Sequence, residues 1–257
     1  MKIGLLTAVL SLIATPLIAA APAATTAPPM AGDATAIARL AKQLGLPATD
    51  LRPSPIAGVY ELRKDHQFGY VSADGRYLIQ GDIFDLATSR DLTEARRRQD
   101  RLEALQAVGA DSTLLFAPAP PLKTRWLITA FVDVDCPFCR KLHSQIAAFN
   151  AEGIAVRYAF FPRTGPDTDA YHKAEAVWCA RDHKGAFDQA MQGKPIDIDT
   201  HCVNPVARDY RLGRDLGLQG TPMLILPDGE KIDGYVPPKA LAAHLADGGQ
   251  DPAGAGD

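Results

Sequence analysis

The chain has 257 residues, 47% of them hydrophobic and 22% charged, and a formal net charge of −3 at pH 7. This length is enough for one large domain or two modest domains with buried cores. A charge this small excludes a strong general attraction to nucleic acid or to anionic lipid, so we predict no nucleic-acid partner.

Residues 1–21 have the pattern of a secretory signal peptide. Lys2 is followed by an apolar run over 3–18 and then by small residues that offer Ala-x-Ala cleavage sites. An uncleaved membrane anchor is the alternative, but the run is shorter and more interrupted than the roughly 20 apolar residues of a spanning helix. We therefore predict export with cleavage, no stable membrane insertion, and a disordered, low-complexity leader over 22–32.

Residues 33–88 predict a small domain of one helix and four short strands. Asp33 begins the helix, Gly45 ends it, and Asp74-Gly75 supplies a turn between two of the strands. The strand-like runs are 59–62, 68–71, 77–79 and 83–84. So few elements bury little surface on their own, and pairing with a second copy would bury more. This part of the chain is therefore a candidate dimerisation domain.

Residues 89–110 predict a linker helix that carries three consecutive arginines, Arg96, Arg97 and Arg98. The run could bind an anion or a partner, or it could be the solvated face of the helix. Acidic side chains nearby, including Asp100 and Glu103, offset its charge. We therefore predict a solvated face.

Residues 111–246 alternate between strand and helix, and residues 247–257 predict a disordered tail. The first strand covers 126–132, a helix covers 137–150 and the next strand covers 154–161. Further helices are predicted over 169–181, 184–191, 205–216 and 238–245, with a hairpin of strands at 223–226 and 231–234. This order is typical of a thioredoxin-type α/β domain.

The motif Cys136-Pro137-Phe138-Cys139 lies where the first of these strands gives way to a helix. A thiolate at a helix N-terminus faces unpaired N–H groups, which can lower a cysteine pKa from about 8.5 to between about 3.5 and 7.5. Pro137 fits the first helical turn, where its missing N–H costs nothing. Cys139, one turn further on, could attack a mixed disulfide on Cys136. The motif thus predicts dithiol–disulfide exchange.

Other uses of the cysteines are less consistent with the sequence. Cys179 and Cys202 do not form a second Cys-x-x-Cys, no histidine pair has zinc-finger spacing, and no histidine is marked as a protease partner. Haem attachment needs a histidine where Arg140 stands. We predict no metal and no cofactor. Because a Cys-x-x-Cys disulfide closes too small a loop to stabilise much, Cys179 and Cys202 suggest the structural bridge.

Thr221-Pro222 precedes an apolar strand and is, by itself, a weak turn signal. An X-Pro bond can be cis in a tight turn. A cis-proline loop that faces the motif cysteines would present backbone groups to an extended polypeptide.

The chain resembles the DsbC/DsbG family of periplasmic thiol:disulfide interchange proteins, and the DsbC branch more closely, over essentially the whole mature chain. The strings that carry the resemblance are Pro55–Gly58, Asp74–Gly81, Phe131–Asp135, Lys141–His143, Trp178–Ala180, Gly220–Pro222 and Gly234–Lys239.

The resemblance implies a thioredoxin-like catalytic domain with inserted helices, preceded by a small α+β, cystatin-like dimerisation domain and a helical linker. It implies that Cys136 is an exposed nucleophile and Cys139 the resolving thiol. Thr221 and Pro222 would form a cis-proline loop that contacts substrate. Cys179 and Cys202 would form the structural disulfide of the family.

The resemblance also implies partners and a location. They are a second copy of the chain, misfolded exported proteins with wrong disulfides, and a DsbD-like membrane thiol reductant, all in the periplasm. Two catalytic domains would face a shared apolar cleft, which adds chaperone activity. We therefore predict a disulfide isomerase.

Two features leave alternatives open. The DsbC branch usually has Gly-Tyr where this chain has Pro137-Phe138, and the intervening residues tune the reduction potential. A net dithiol oxidase or a DsbG-like reductase of exposed cysteines therefore remains an alternative, as does a non-catalytic chaperone. Asp133 could assist proton transfer at Cys139, or it could be a structural, partly buried carboxylate.

Overall fold

The computed structural model describes residues 31–109, 112–197 and 199–248. The predicted signal peptide, almost all of the predicted leader and most of the predicted tail lie outside these residues. Within them, no helix is both long enough and apolar enough to cross a membrane.

The N-terminal part is a helix packed on a four-stranded antiparallel sheet of order β1-β2-β3-β4. Its elements are α1 (Ala31–Leu44), a single 3-10 turn (Ala48–Asp50), β1 (Leu51–Pro53), β2 (Val59–Lys64), β3 (Gln67–Ser72) and β4 (Leu78–Ile79). Five buried apolar side chains join the helix to the sheet: Leu40, Ala41, Leu51, Tyr60 and Val71. This core is small for a domain that stands alone.

The edge strand β4 and the residue before it leave apolar side chains in solvent. Tyr77, Leu78 and Ile79 are 59%, 60% and 50% exposed. The strand lies at one end of the sheet, next to β3, so its outer edge offers backbone groups for further pairing. An exposed apolar edge of this kind is a typical surface for association with another chain.

A short hairpin of β5 (Phe84–Asp85) and β6 (Arg90–Asp91) leads into the long helix α2 (Leu92–Val108). The Asp91 side chain caps α2 by accepting a hydrogen bond of 2.9 Å from the backbone N–H of Glu94. The helix therefore begins directly after Asp91, whose carboxylate accepts a hydrogen bond from an N–H group of the first turn.

One side of α2 is bound to the N-terminal sheet by charged groups. The buried Asp100 carboxylate lies 2.5 Å from both the Arg63 guanidinium and the His66 ring. Two further ion pairs join the helix to the N-terminal part: Arg96–Glu61 at 3.1 Å and Arg97–Asp82 at 2.6 Å.

The other side of α2 contacts a tight turn in the C-terminal part. Arg98 forms ion pairs with Asp228 and Glu230, and the buried Arg101 donates a hydrogen bond of 3.0 Å to the backbone carbonyl of Gly229. The prediction that the arginine run is a solvated face is wrong, because acidic groups from separate segments of the chain pair with it. The helix α2 thus contacts both the N-terminal and the C-terminal part of the chain.

Gly229 lets the turn lie directly on the α2 backbone. Its φ is +84°, and a Cβ at this position would lie 2.2 Å from the carbonyl oxygen of Arg98. We expect Gly229→Ala to lower the melting temperature and to speed protease cleavage within α2, at a cost of about 1–3 kcal/mol. Gly217→Ala is the matched control, since Gly217 has a φ of +74° with nothing within 4 Å. Equal losses in the two variants would contradict this account of the contact.

The C-terminal part is a five-stranded sheet of order β11-β10-β8-β9-β7, covered by helices. Its elements are β7 (Leu114–Phe116), β8 (Trp126–Val132), α3 (Pro137–Ser144), α4 (Ile146–Ala151), β9 (Ile154–Phe160), α5 (Asp169–Cys179), α6 (His183–Met191), α7 (Val206–Asp215), β10 (Met223–Ile225), β11 (Lys231–Asp233) and α8 (Pro238–Ala246). β8 and β9 are parallel, and the other pairs are antiparallel. The helix predicted over 137–150 is broken at Gln145, whose φ of −108° leaves the helical range.

The central strands are apolar along their length because both faces of the sheet are covered. Ile128, Ala130 and Val132 of β8 belong to one buried cluster, whereas Phe131 belongs to a second cluster on the opposite face. This packing fixes the end of β8, from which the motif begins.

Cys179, the last residue of α5, is bonded to Cys202 in the segment before α7. The bond spans a sequence separation of 23 residues. We expect the double variant Cys179→Ala/Cys202→Ala to unfold at lower urea concentration, with a loss of about 3 kcal/mol, because the open loop gives the unfolded chain more freedom. The difference should vanish when both proteins are unfolded in excess dithiothreitol. Equal stability without reductant would contradict the prediction.

Candidate active site

The two motif cysteines lie at the carboxyl end of the central strand β8. A tight turn over 133–135 follows the strand, and the backbone N–H of Cys136 donates to the carbonyl of Asp133 at 3.0 Å. Cys136 is the N-cap of α3, and Pro137 occupies the first turn. Cys136 thus follows a buried strand and a turn and directly precedes a helix. At this position it lies next to the unpaired N–H groups of the helix N-terminus.

Both cysteines are free thiols, and both are buried. Cys136 is only 1% exposed, so the expectation of an exposed nucleophile is wrong for this structure. The cause is the loop before β10, where the Thr221–Pro222 bond is cis and the Thr221 carbonyl oxygen lies 3.2 Å from the Cys136 Sγ. The two residues between the cysteines, Pro137 and Phe138, are exposed, and Phe138 is 59% exposed.

The pKa values of the two thiols are moved in opposite directions. A hydrogen bond from the Cys139 thiol lowers the pKa of Cys136 to about 5, against the opposing effect of burial, with help from Thr221 and from the N–H groups of Cys139 and Phe138. Burial, followed by the contact with Cys136, raises the pKa of Cys139 far above its usual range. At neutral pH the site therefore holds one thiolate and one thiol.

Thr221 contributes two groups to this pair. Its carbonyl accepts a hydrogen bond from Cys136 when that thiol is protonated. Its buried hydroxyl has no other hydrogen-bond partner in the described part of the chain, and this side chain lowers the pKa of both cysteines. A hydroxyl can turn its proton toward a thiolate, so the loop suits both protonation states.

Asp133 is 2% exposed and lies directly before the motif turn. One carboxylate oxygen accepts from the backbone N–H of Asp135 at 2.8 Å. The other accepts from the backbone N–H and the Nε of Arg163, at 3.0 and 2.9 Å. These contacts hold the carboxylate in place and fit the structural alternative, while a role in proton transfer stays a prediction.

Asp135, the residue before Cys136, is held by two cations. Lys173 Nζ lies 3.1 and 2.9 Å from its two carboxylate oxygens, and Arg140 Nη2 lies 3.0 Å from one of them. Sequence reasoning missed Lys173 and Arg163, since both follow the motif at a distance along the chain and no local pattern marks them. Among the described residues, no cluster of three or more His, Cys, Asp or Glu side chains is arranged to hold a metal ion.

Two family models match the chain. A thioredoxin-like domain matches residues 120–249, and a disulfide bond isomerase protein N-terminal domain matches residues 19–94. The thiol:disulfide interchange protein DsbC of Escherichia coli K12 is 36% identical over 213 residues, which cover 83% of this chain and 87% of that protein. The chain belongs to the DsbC family. The corresponding DsbC proteins of Dickeya dadantii and Haemophilus influenzae are 35% and 32% identical, and the matches cover 83% and 86% of this chain and 87% and 93% of theirs.

Membership in the DsbC family confirms the resemblance and the fold class that the sequence predicts. The match to the thioredoxin-like domain contains β8–β11 with the motif at the end of β8, and the match to the N-terminal domain contains α1 and the four-stranded sheet. The helices α5, α6 and α7 stand between β9 and β10, as the prediction of inserted helices requires.

Proposed function

We propose that the protein is a periplasmic disulfide isomerase in which Cys136 is the nucleophile and Cys139 the resolving thiol. The observation that carries this proposal is the opposite displacement of the two pKa values, with Cys136 at about 5 and Cys139 raised. Only a thiolate attacks a disulfide. At neutral pH Cys136 is therefore in the reactive form, whereas Cys139 stays protonated until the resolving step.

The reaction conserves electrons when it isomerises. The Cys136 thiolate attacks one sulfur of a substrate disulfide, a Cys136–substrate disulfide forms, and the other substrate sulfur leaves as a thiolate and takes up a proton. A different substrate thiolate then attacks the mixed disulfide, forming the new substrate bond and releasing Cys136. No net oxidation occurs.

Cys139 releases a substrate that remains bonded to Cys136 as a mixed disulfide. Its sulfur loses a proton, bonds to Cys136 and expels the substrate as a free thiol, so the substrate gains two electrons and the motif becomes a disulfide. A thiol reductant must then restore the motif. A DsbD-like membrane protein is the proposed donor, since the predicted location places the motif in an oxidising compartment.

The N-terminal domain is the proposed dimerisation unit, with residues 33–88 as the domain, 89–110 as the linker and 111–246 as the catalytic domain. Support comes from the small core around Leu40 and from the exposed apolar edge at Leu78 and Ile79. Two copies would place two motifs around one cleft. Misfolded exported proteins would bind in this cleft, which would give the protein chaperone activity. The signal-like residues 1–21 support export to the periplasm.

A net dithiol oxidase is the second candidate. A low pKa at Cys136 stabilises the reduced motif and so makes its disulfide a stronger oxidant. The two candidates differ in the substrate that they reactivate. The reduced protein should reactivate scrambled ribonuclease A if it is an isomerase, whereas only the oxidised protein should reactivate reduced ribonuclease A if it is an oxidase.

The expected result is rapid reactivation of the scrambled enzyme by the reduced protein in substoichiometric amount. Sedimentation of the same sample should show a dimer. Reactivation of the reduced substrate alone would assign the protein to the oxidases.

A further inference from the structure

A cleft of about 300 Å³ opens beside the turn that leads to Cys136. Val134 and Asp135, which directly precede Cys136, line it together with α5, α6 and the segment 193–196. Arg140 follows Cys136 by four residues, or about 6 Å along the helix axis, and lines the same cleft. A polypeptide whose sulfur is bonded to Cys136 therefore has this cleft within reach of its neighbouring side chains.

The lining of the cleft is positively charged although the whole chain carries a formal charge of −3. Its charged members are Arg140, Lys173 and Lys194 against the single carboxylate of Asp135, which leaves a net charge of +2. Lys194 is exposed and lines the cleft, and no ion pair joins its ammonium to a carboxylate among the described residues. An incoming carboxylate would thus meet cations that Asp135 does not neutralise.

Arg140 is held so that part of its guanidinium remains available. Its Nε donates to the carbonyl of Val134 at 2.8 Å and its Nη2 to Asp135 at 3.0 Å. Its Nη1 lies against Gly193, where a Cβ would come within 3.2 Å, and has no acceptor in the described part of the chain. A guanidinium fixed on two sides offers its remaining N–H groups at low cost in side-chain entropy.

Part of the lining of the cleft is apolar. Val134, which is 2% exposed, lines the cleft together with Ala190, Pro195 and Ile196. A cleft lined by both apolar groups and cations suits an acidic side chain that is followed by an apolar one.

We propose that this cleft is a specificity site for substrate polypeptides that carry Asp or Glu two or three residues from the reacting cysteine. The inference rests on the proposed function, because the substrate reaches the cleft only when its sulfur reaches Cys136. An extended chain advances about 3.3 Å per residue, so two residues span the axial distance between Cys136 and Arg140. Disulfides next to acidic residues exchange faster than disulfides next to basic ones.

The test uses three synthetic peptides, Ala-Glu-Leu-Cys-Ala and its Gln and Lys counterparts, each blocked at both ends and supplied as a disulfide-linked dimer. The rate of peptide thiol release by the reduced protein is measured at low ionic strength. We expect the Glu peptide to react about two- to fivefold faster than the Gln peptide, the range for exposed charge pairs, and the Lys peptide to react more slowly. The preference should shrink in 0.5 M salt.

The variant Lys194→Glu should abolish or reverse the ratio of Glu to Lys peptide rates. Lys123→Glu is the matched control, because Lys123 is exposed and precedes β8 at the end of the strand opposite the motif. This control should keep the wild-type ratio. Equal rates for the Glu and Lys peptides, or equal shifts in the two variants, would overturn the specificity site while leaving exchange intact. Failure of wild-type protein to release thiol from any peptide would instead overturn the proposed function.

Discussion

Replacing Cys136 with alanine is expected to reduce the reactivation of scrambled ribonuclease A to the uncatalysed rate. The other cysteines cannot take its place. Cys139 is fully buried with a raised pKa, and Cys179 and Cys202 are bonded to each other. The measurement is the recovery of ribonuclease activity with equal amounts of wild-type and variant protein.

Cys139→Ser is the matched control for this loss. It keeps the nucleophile and a hydrogen-bond donor but removes the resolving sulfur, so a covalent complex with substrate should accumulate and appear on a non-reducing gel. Reactivation that survives in Cys136→Ala would contradict covalent catalysis and favour a chaperone that acts without its cysteines.

The reduced protein is expected to react with iodoacetamide with a midpoint near pH 5, because the pKa of Cys136 is lowered to about 5. Since the thiolate is the reactive form, the rate should fall as the pH drops below the midpoint and level off above about pH 6. At pH 6 about nine-tenths of Cys136 would be ionised, against well under about 1% of an ordinary cysteine with a pKa of about 8.5. A thiolate of low pKa is intrinsically less nucleophilic, which offsets part of this gain. Cys136 should therefore react roughly tenfold faster at pH 6 than an ordinary cysteine.

A pair of variants tests the cause of the low pKa. The largest contribution is the hydrogen bond from Cys139, so Cys139→Ala should move the midpoint upward by about one to two pH units, whereas Cys139→Ser should keep it low. A midpoint near pH 8.5 in the wild-type protein, or equal midpoints in the two variants, would contradict this explanation.

The placement of the motif at the start of a helix could be predicted from the sequence because it depends on local patterns. A Cys-x-x-Cys motif between an apolar strand and a helix places Cys136 at a helix N-terminus whatever the rest of the fold does. Trp126–Val132 has the bounds in the structure that the apolar pattern predicts. Long apolar runs covered on both faces give the clearest pattern of this kind.

The features that the sequence did not predict depend on contacts between distant segments. Cys136 is buried by a loop 85 residues further on, and Arg163 reaches Asp133 across 30 residues. β1 and β7 have only three residues each, too few to show an alternating pattern. The partners of the arginine run on α2 come from separate parts of the chain, so its own composition suggests only a solvated surface.

Because both parts of the molecule contact the same turns of α2, the spacing of the contact residues along this helix sets the angle between the two parts. Each helical residue adds about 1.5 Å and 100° of rotation. One residue inserted after Arg97 would leave Arg96 facing Glu61 but would turn Arg98 and Arg101 about a quarter of a circle away from the turn at Gly229. The same insertion would turn Asp100 away from Arg63 and His66. An insertion of a whole number of helical turns would restore the direction in which Arg98 and Arg101 point, but it would change their distance from Arg96 along the helix axis. The direction of the Cys136 sulfur relative to the N-terminal sheet is therefore set by the number of residues between these contacts, which point substitutions preserve and insertions or deletions change.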